Sequence, residues 1–294
     1  MTEKVNSKME QEQEKEKPTQ PTQTEQEKPK PKGILGTATN AEAVTRKGYW
    51  VKALLVGPSG SGKTQSSITI PGKKLLIDYD GRWETVVGTP EITIIKLYDP
   101  DPTSPKGWMR AEQLKRELWR AVRNKRFDYD LIIEDGLTSM LNYAMNWSLT
   151  LDPKTGLGES PAQQHWMPQM YNVEQHIRSM KQLPCSYILN AHVEYIEVED
   201  EGSVLYLPKA TGKMRTAIPG WFNETYWCSS SRKKDGKVHY YWETTGTGKK
   251  DFLKSTLNNL GKYWTDPIEI NFDKPPVGFA DLLERRFGKE ESDD

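Results

Sequence analysis

The sequence predicts an α/β fold: a mostly parallel sheet flanked by helices, with antiparallel hairpins added toward the C-terminus. Three observations predict it. Apolar runs of strand length alternate with helical patterns between residues 49 and 191. One intervening turn, Gly57-Pro58-Ser59-Gly60-Ser61-Gly62-Lys63-Thr64, has the phosphate-loop spacing G-x-x-x-x-G-K-[ST]. Polar residues close the apolar runs, at the carboxyl ends of strands where such sheets bind ligands.

The elements follow in order. Tyr49 to Val56 reads as a strand buried on both faces, through Val51, Ala53, Leu54, Leu55 and Val56. A short helix opens from the loop and runs to about Thr69, where Pro71-Gly72 stops it. Lys74 to Asp80 is a second strand ending in acids, and Ile92 to Tyr98 a third. Between Met109 and Arg123, Leu114, Leu118 and Val122 recur at helical spacing. Residues 127–135 form the next strand, and Leu137 to Leu149 a helix with Leu137, Met140, Leu141 and Ala144 on one face. After the loop 151–161 come a helix from about Gln163 to Gln182 and a strand from Ser186 to Ala191. Two hairpins are then expected as additions to the sheet. One joins Tyr195–Val198 to Val204–Leu207 around Glu201-Gly202; the other joins Phe222–Ser229 to Val238–Thr244 around Lys234-Asp235-Gly236. Phe279 to Phe287 forms a terminal helix.

Composition sets the boundaries. Residues 1–33 are mostly Glu, Gln, Lys, Pro and Thr, with nothing to bury, and read as a disordered polar tail. Residues 34–265 form the folded α/β domain, and 266–294 a C-terminal extension carrying the last helix and an acidic tail. Lys+Arg and Asp+Glu stand at 41 each in 294 residues, so whole-chain charge points to neither nucleic acid nor a membrane. No apolar run is long enough to span a bilayer, and the polar N-terminus lacks a signal core. Cys185 and Cys228 stand apart in no C-x-x-C setting, which suits a reduced, cytoplasmic location.

The loop chemistry is specific. Glycines let backbone N–H groups converge on phosphate oxygens. Lys63 supplies a point charge for the β- and γ-phosphates, and the Thr64 hydroxyl a Mg²⁺ ligand. Gly57 through Thr64, with Gln65 following, are therefore the nucleotide-binding candidates, with ATP and Mg²⁺ as ligands. Asp135 closes its strand where a carboxylate orients Mg²⁺, or else caps the following helix; Glu134 is the alternative metal acid. Asp78 and Asp80 alternate on the second strand and share a face, and Asp80 is the candidate for activating water. Either acid, alternatively, satisfies backbone donors in the turn that follows. Asn190 and His192 end a strand where a γ-phosphate sensor belongs, or His192 is structural as a lone histidine often is; His165, His176 and His239 read as structural. Lys209, Lys213 and Arg215 form a basic mobile loop able to hold nucleic-acid phosphates, or simply a solvated one. The hairpin tip Arg232, Lys233, Lys234 and Lys237 has the same two readings. Trp221 and Phe222 serve either base stacking or core packing. Lys249, Lys250 and Lys254 are candidates for reaching a neighbouring subunit's phosphate.

With these residues in view the chain resembles the phage-encoded RecA-like nucleotide-binding ATPases, a group that includes single-strand-annealing recombination proteins. The resemblance spans about residues 48–260. It rests on Gly57 to Thr64, Leu75 to Gly81, Leu131 to Thr138, Asn190-Ala191-His192, Leu207 to Lys213 and Ile218 to Asn223. It implies a RecA-like core, Mg²⁺-dependent ATP hydrolysis, homo-oligomers on single-stranded DNA, and a setting in recombination, repair or replication. By position, Asp135 matches the metal-binding aspartate and Asp80 the catalytic glutamate after the second strand. Aspartate there is a departure and suits slow turnover. Asn223 stands where the family often has Asp, and Lys254 where it has a Lys. The alternatives are a small-molecule P-loop kinase, with Lys213 or Arg215 in a lid, and a nucleotide-dependent interaction module with little turnover.

Overall fold

The computed structural model describes residues 44–99, 105–152, 160–198, 203–272 and 277–288. The expectations for the polar N-terminal tail, the acidic C-terminal tail and the Glu201-Gly202 turn fall outside these residues. In chain order, β1 (Lys52–Val56) leads into α1 (Lys63–Ser67), β2 (Lys74–Asp78), β3 (Ile92–Lys96) and α2 (Gly107–Arg123). β4 (Leu131–Asp135), α3 (Leu137–Leu149), α4 (Gln163–Lys181) and β5 (Ser186–Ala191) complete the alternating part. The second half adds β6 (Val193–Val198), β7 (Ser203–Pro208), α5 (Met214–Ala217), β8 (Glu224–Arg232) and β9 (Val238–Glu243). β10 (Lys254–Ser255), β11 (Ile268–Ile270) and α6 (Phe279–Phe287) end the described chain.

A mixed, mostly parallel nine-stranded sheet runs β11-β9-β8-β1-β5-β4-β2-β3, with β10 paired to β8 beside this path. β8, β1, β5, β4, β2 and β3 are mutually parallel. β9, β10 and β11 pair antiparallel. Two expectations are corrected here. The β6–β7 hairpin does not join the main sheet but forms a separate two-stranded one, fastened by Tyr206 stacking on Trp227 at 5.3 Å. β8, expected to enter the sheet only through its hairpin, also lies parallel to β1, because its buried Glu224–Cys228 half can pair on both sides. β10 and β11 are too short for a sequence pattern of strand length, and go unread there.

Side chains alternate across the strands, so each strand feeds two apolar layers. Leu54, Leu75, Ile77, Ile132, Tyr187 and Leu189 face Trp108, Met140, Val173 and Ile177 of α2, α3 and α4. Ala53, Leu55, Leu76, Leu131, Ile133 and Ile188 face the layer that holds Trp242, Trp264 and, from α6, Phe279 and Leu282. Each fully buried Leu or Ile contributes about 1.5–3 kcal/mol relative to exposure. This two-sided burial explains why β1 and β5 read as continuous apolar runs.

Register positions the chemistry. Leu55 pairs with Asn190, Asn190 with Asp135, and Asp135 with Asp78, so these strand ends lie in one row. β5 lies between β1, which carries the loop, and β4, which carries Asp135.

Candidate active site

The loop after β1 holds its shape through its own groups. Gly62 has φ of +79°, and its ideal Cβ would lie 2.8 Å from the Tyr240 ring, so both conformation and space demand glycine. Its carbonyl accepts the Ser66 N–H at 2.8 Å, starting α1. Lys63 folds back over the loop, donating from Nζ to the Gly57 carbonyl at 2.9 Å and the Pro58 carbonyl at 2.8 Å. Burial pushes the Lys63 ammonium below its ordinary pKa.

Thr64 Oγ1 donates to Asp135 Oδ2 at 2.5 Å, joining α1 to the end of β4. Glu134 takes the opposite direction. It is fully buried on the helical side, accepting from Tyr79 Oη at 2.8 Å, from Tyr187 Oη, and contacting His176 Nε2 at 2.8 Å. The other His176 nitrogen, Nδ1, lies 2.8 Å from Glu112 Oε1. Burial alone would lower the His176 pKa, but the flanking carboxylates of Glu134 and Glu112 raise it to about 9. Burial likewise opposes ionisation of Glu112, yet His176 and Lys115 bring it down to about 2. Of the two candidate acids, only Asp135 therefore faces the loop.

The acids after β2 also separate. The strand ends at Asp78, so the expected shared face is not formed. Asp78 is buried and spends both oxygens on the turn: Oδ1 accepts from Asp80 N and Gly81 N at 3.0 Å, Oδ2 from Trp83 N at 3.1 Å. Asp80 gives its N–H to that turn, but its carboxylate points toward His192, with Oδ2 3.5 Å from Nε2. Burial pushes the Asp80 carboxyl up, but His192 and Ser139 outweigh it and hold the carboxyl below its ordinary range. Gly136 makes this placement possible. At φ +116° it turns the chain into α3, and a Cβ there would come 2.6 Å from Asp80 Oδ1.

Ser59, Gly60, Ser61, Gly62, Lys63, Thr64, Gln65, Asp80, Asp135 and His192 thus line one cavity of about 350 Å³. Asn190 is not in its lining; buried, it accepts from Ser67 Oγ at 3.0 Å and braces α1. Burial raises the Asp135 carboxyl, the nearby Asp80 charge adds to the rise, and Thr64 and Asn190 oppose it. Two carboxylates and a hydroxyl at one cavity are hard oxygen donors of the kind that suits Mg²⁺. Three lining residues went unnoticed in the sequence: Arg82, Thr85 and Tyr240. Arg82 follows Asp80 in the same turn, a position that a reading of strand ends could have included, and its Nη1 lies 3.4 Å from Ser59 Oγ. Tyr240 has no local signal.

The basic candidates lie outside the cavity. Lys209 N donates to the His192 carbonyl at 2.7 Å, while Arg215 Nη1 pairs with Glu194 Oε2 at 3.3 Å. The segment expected to be a mobile loop contains α5, seated by buried Met214 and Ile218. Phe222 is core, and Trp221 packs against it from the edge with Arg178 above its ring. Lys250 pairs with Glu243 at 2.5 Å and covers Trp227 at 4.7 Å.

A strand, a phosphate loop that opens a helix, and a hydroxyl–carboxylate pair beside it define a P-loop nucleotide-binding core. Residues 50–255 match the AAA domain family, and the chain belongs to it. No curated protein matches the sequence. No helix among the described residues is long and apolar enough to cross a membrane.

Proposed function

We propose that the chain is a RecA-like ATPase that binds Mg²⁺-ATP at the phosphate loop and couples hydrolysis to single-stranded DNA, in phage recombination, repair or replication. One observation carries the ATPase part of the reading: Lys63, the Thr64–Asp135 pair and the Asp80–His192 pair meet in a single cavity. The DNA part rests on the resemblance of the sequence. In this reading Lys63 exchanges the Gly57 and Pro58 carbonyls for phosphate oxygens. Thr64 and Asp135 are the residues that would hold Mg²⁺, whose charge, when bound, offsets that developing on the phosphates. Asp80 accepts the proton of the water that attacks the terminal phosphorus, the bond to the bridging oxygen breaks, and ADP and phosphate leave. The residue after Asp135 is Gly136, so no acid follows the metal aspartate, and Asp80 is the remaining carboxylate of the cavity. Its reach is one methylene shorter than glutamate, which suits slow turnover. His192 orients Asp80 and reports phosphate occupancy. Through its carbonyl it is one hydrogen bond from Lys209, where the basic segment with Lys213 and Arg215 begins. That bond supports coupling between nucleotide and a polyanion; homo-oligomers along the strand belong to the same proposal and rest on the family resemblance.

The test is ATP turnover by the full chain with and without Mg²⁺ and a single-stranded oligonucleotide, alongside Lys63→Ala. Mg²⁺-dependent turnover that the oligonucleotide stimulates, and that Lys63→Ala abolishes, is expected. Tight ATP binding without turnover would favour an interaction module. Phosphate transfer to an added nucleoside would favour a kinase. Nucleotide affinity untouched by Lys63→Ala would remove all three readings.

A further inference from the structure

The cavity is walled from two sides that carry different chemistry. Asp80 and Arg82 enter from the end of β2, three strands from β1 on one flank, and Asp135 from β4 between them. Tyr240 enters from β9, two strands from β1 on the other flank. Its half-buried ring lies against Gly62, with Cδ1 and Cε1 at 2.8 and 3.1 Å from the ideal Cβ position, and Phe272 Cζ stands at 3.1 Å from the same point. Tyr240 and Phe272 pack with ring centroids 5.0 Å apart and planes 52° apart, and both rest on the apolar layer beneath the sheet. Apart from its hydroxyl, a supported aromatic ring beside a phosphate cradle gives phosphates nothing to bind. It offers polarisable surface to an aromatic ligand.

We propose that Tyr240, backed by Phe272, is the nucleobase platform of the cavity, on which the base of a purine nucleoside triphosphate stacks. The proposal rests on the reading that the cavity takes a nucleoside triphosphate, and it adds the base subsite and the residues that build it. A nucleotide whose terminal phosphate reaches Asp80 and His192 runs along the loop toward the opposite flank, where Tyr240 stands. Stacking rewards ring area, so the bicyclic purines are favoured over pyrimidines. Because the platform contacts a π face and not a base edge, adenine and guanine are poorly distinguished by it.

The test is calorimetric binding of ATP, CTP and inorganic tripolyphosphate, all with Mg²⁺, to the full chain and to Tyr240→Leu and Tyr240→Phe. Wild type is expected to bind ATP about tenfold more tightly than tripolyphosphate, the scale of one stacked base, and more tightly than CTP. Tyr240→Leu is expected to lose roughly that tenfold toward ATP while keeping its tripolyphosphate affinity, which also reports an intact loop. Tyr240→Phe is expected to retain ATP affinity. An unchanged ATP affinity in Tyr240→Leu would overturn the proposal. So would an equal loss toward ATP and tripolyphosphate, which would make Tyr240 a support for Gly62 alone. If Tyr240→Leu does not fold, the wild-type ratio decides, and equal binding of ATP and CTP overturns the platform. If wild type binds tripolyphosphate but no nucleotide, the platform falls while the phosphate cradle stands; if it binds neither, the ATP reading fails with it.

Discussion

Two clusters on either side of β4 are built from the same ingredients, a histidine set among carboxylates, yet only one is open to a ligand. In the first, His176 lies between Glu112 and Glu134, and Tyr79 and Tyr187 close on the remaining oxygens of Glu134. His176 is 1 % exposed and Glu134 not at all. In the second, His192 meets Asp80 at 3.5 Å, Asp135 stands nearby with Thr64, and all of them border the 350 Å³ cavity. The first cluster is saturated: each charge has its counter-charge and hydrogen bonds, so it locks α2 and α4 to the sheet. The second has an excess of hard oxygen donors and a lysine held only by loop carbonyls. Saturation, more than residue type, separates a keystone from a site.

Four experiments press on that contrast. The largest effect is expected at the open cluster, where Asp80→Asn should lower ATP turnover by about 10²–10⁴-fold, the range of one general base, with the thermal midpoint and ATP affinity retained. A turnover left within threefold of wild type would remove Asp80 from the chemistry. His176→Leu should do the reverse, leaving a buried carboxylate uncompensated at a loss of about 3–5 kcal/mol in stability. Denaturant unfolding measures it, and a loss below 1 kcal/mol would show that the tyrosines suffice. Gly136→Ala is next. Its Cβ would press on Asp80, so turnover should fall by up to about a hundredfold, the effect of a misplacement near 1 Å, while equilibrium dialysis finds ATP still bound.

The smallest effect is a pH dependence of stability. Protonated His176 is favoured in the folded chain up to about pH 9, whereas the unfolded histidine releases its proton near 6.5. Above 6.5 the folded state holds more protons, so stability falls as pH rises from about 6.5 toward 9. Glu112 acts in the other direction: its contribution is present above 4.5 and fades as pH falls toward about 2. Thermal midpoints measured across this range should show the decline toward pH 9 in wild type and not in His176→Leu. A parallel decline in both would place its origin elsewhere.

Much of the core was legible because its signals are local. β1, the loop and α1 follow from an apolar run, a glycine spacing and a stop at Pro71-Gly72. β2, β4 and β5 each announce a strand end with a polar residue, and parallel register then brings those ends into one row. The β6–β7 hairpin was legible as a hairpin but not as a separate sheet, since period-two alternation says nothing about which edge a hairpin joins. Arg82 was within reach of a reading of the turn after β2. Tyr240 was not, because its place beside Gly62 depends on β8 lying against β1 from far along the chain.

The sequence by itself determined that a phosphate-binding loop sits between a buried strand and a helix, and which carboxylates end the neighbouring strands. Glycine conformation, strand burial and residue spacing are short-range properties, and a linear string carries them. Only the tertiary structure decided between Glu134 and Asp135, and between Asp78 and Asp80. Adjacent strand residues such as Glu134 and Asp135 point to opposite faces, and what each face meets, a helix bearing His176 or a loop bearing Thr64, is a matter of packing across many residues. Asp80 differs from Asp78 because the strand ends between them and Asp78 is spent on the turn.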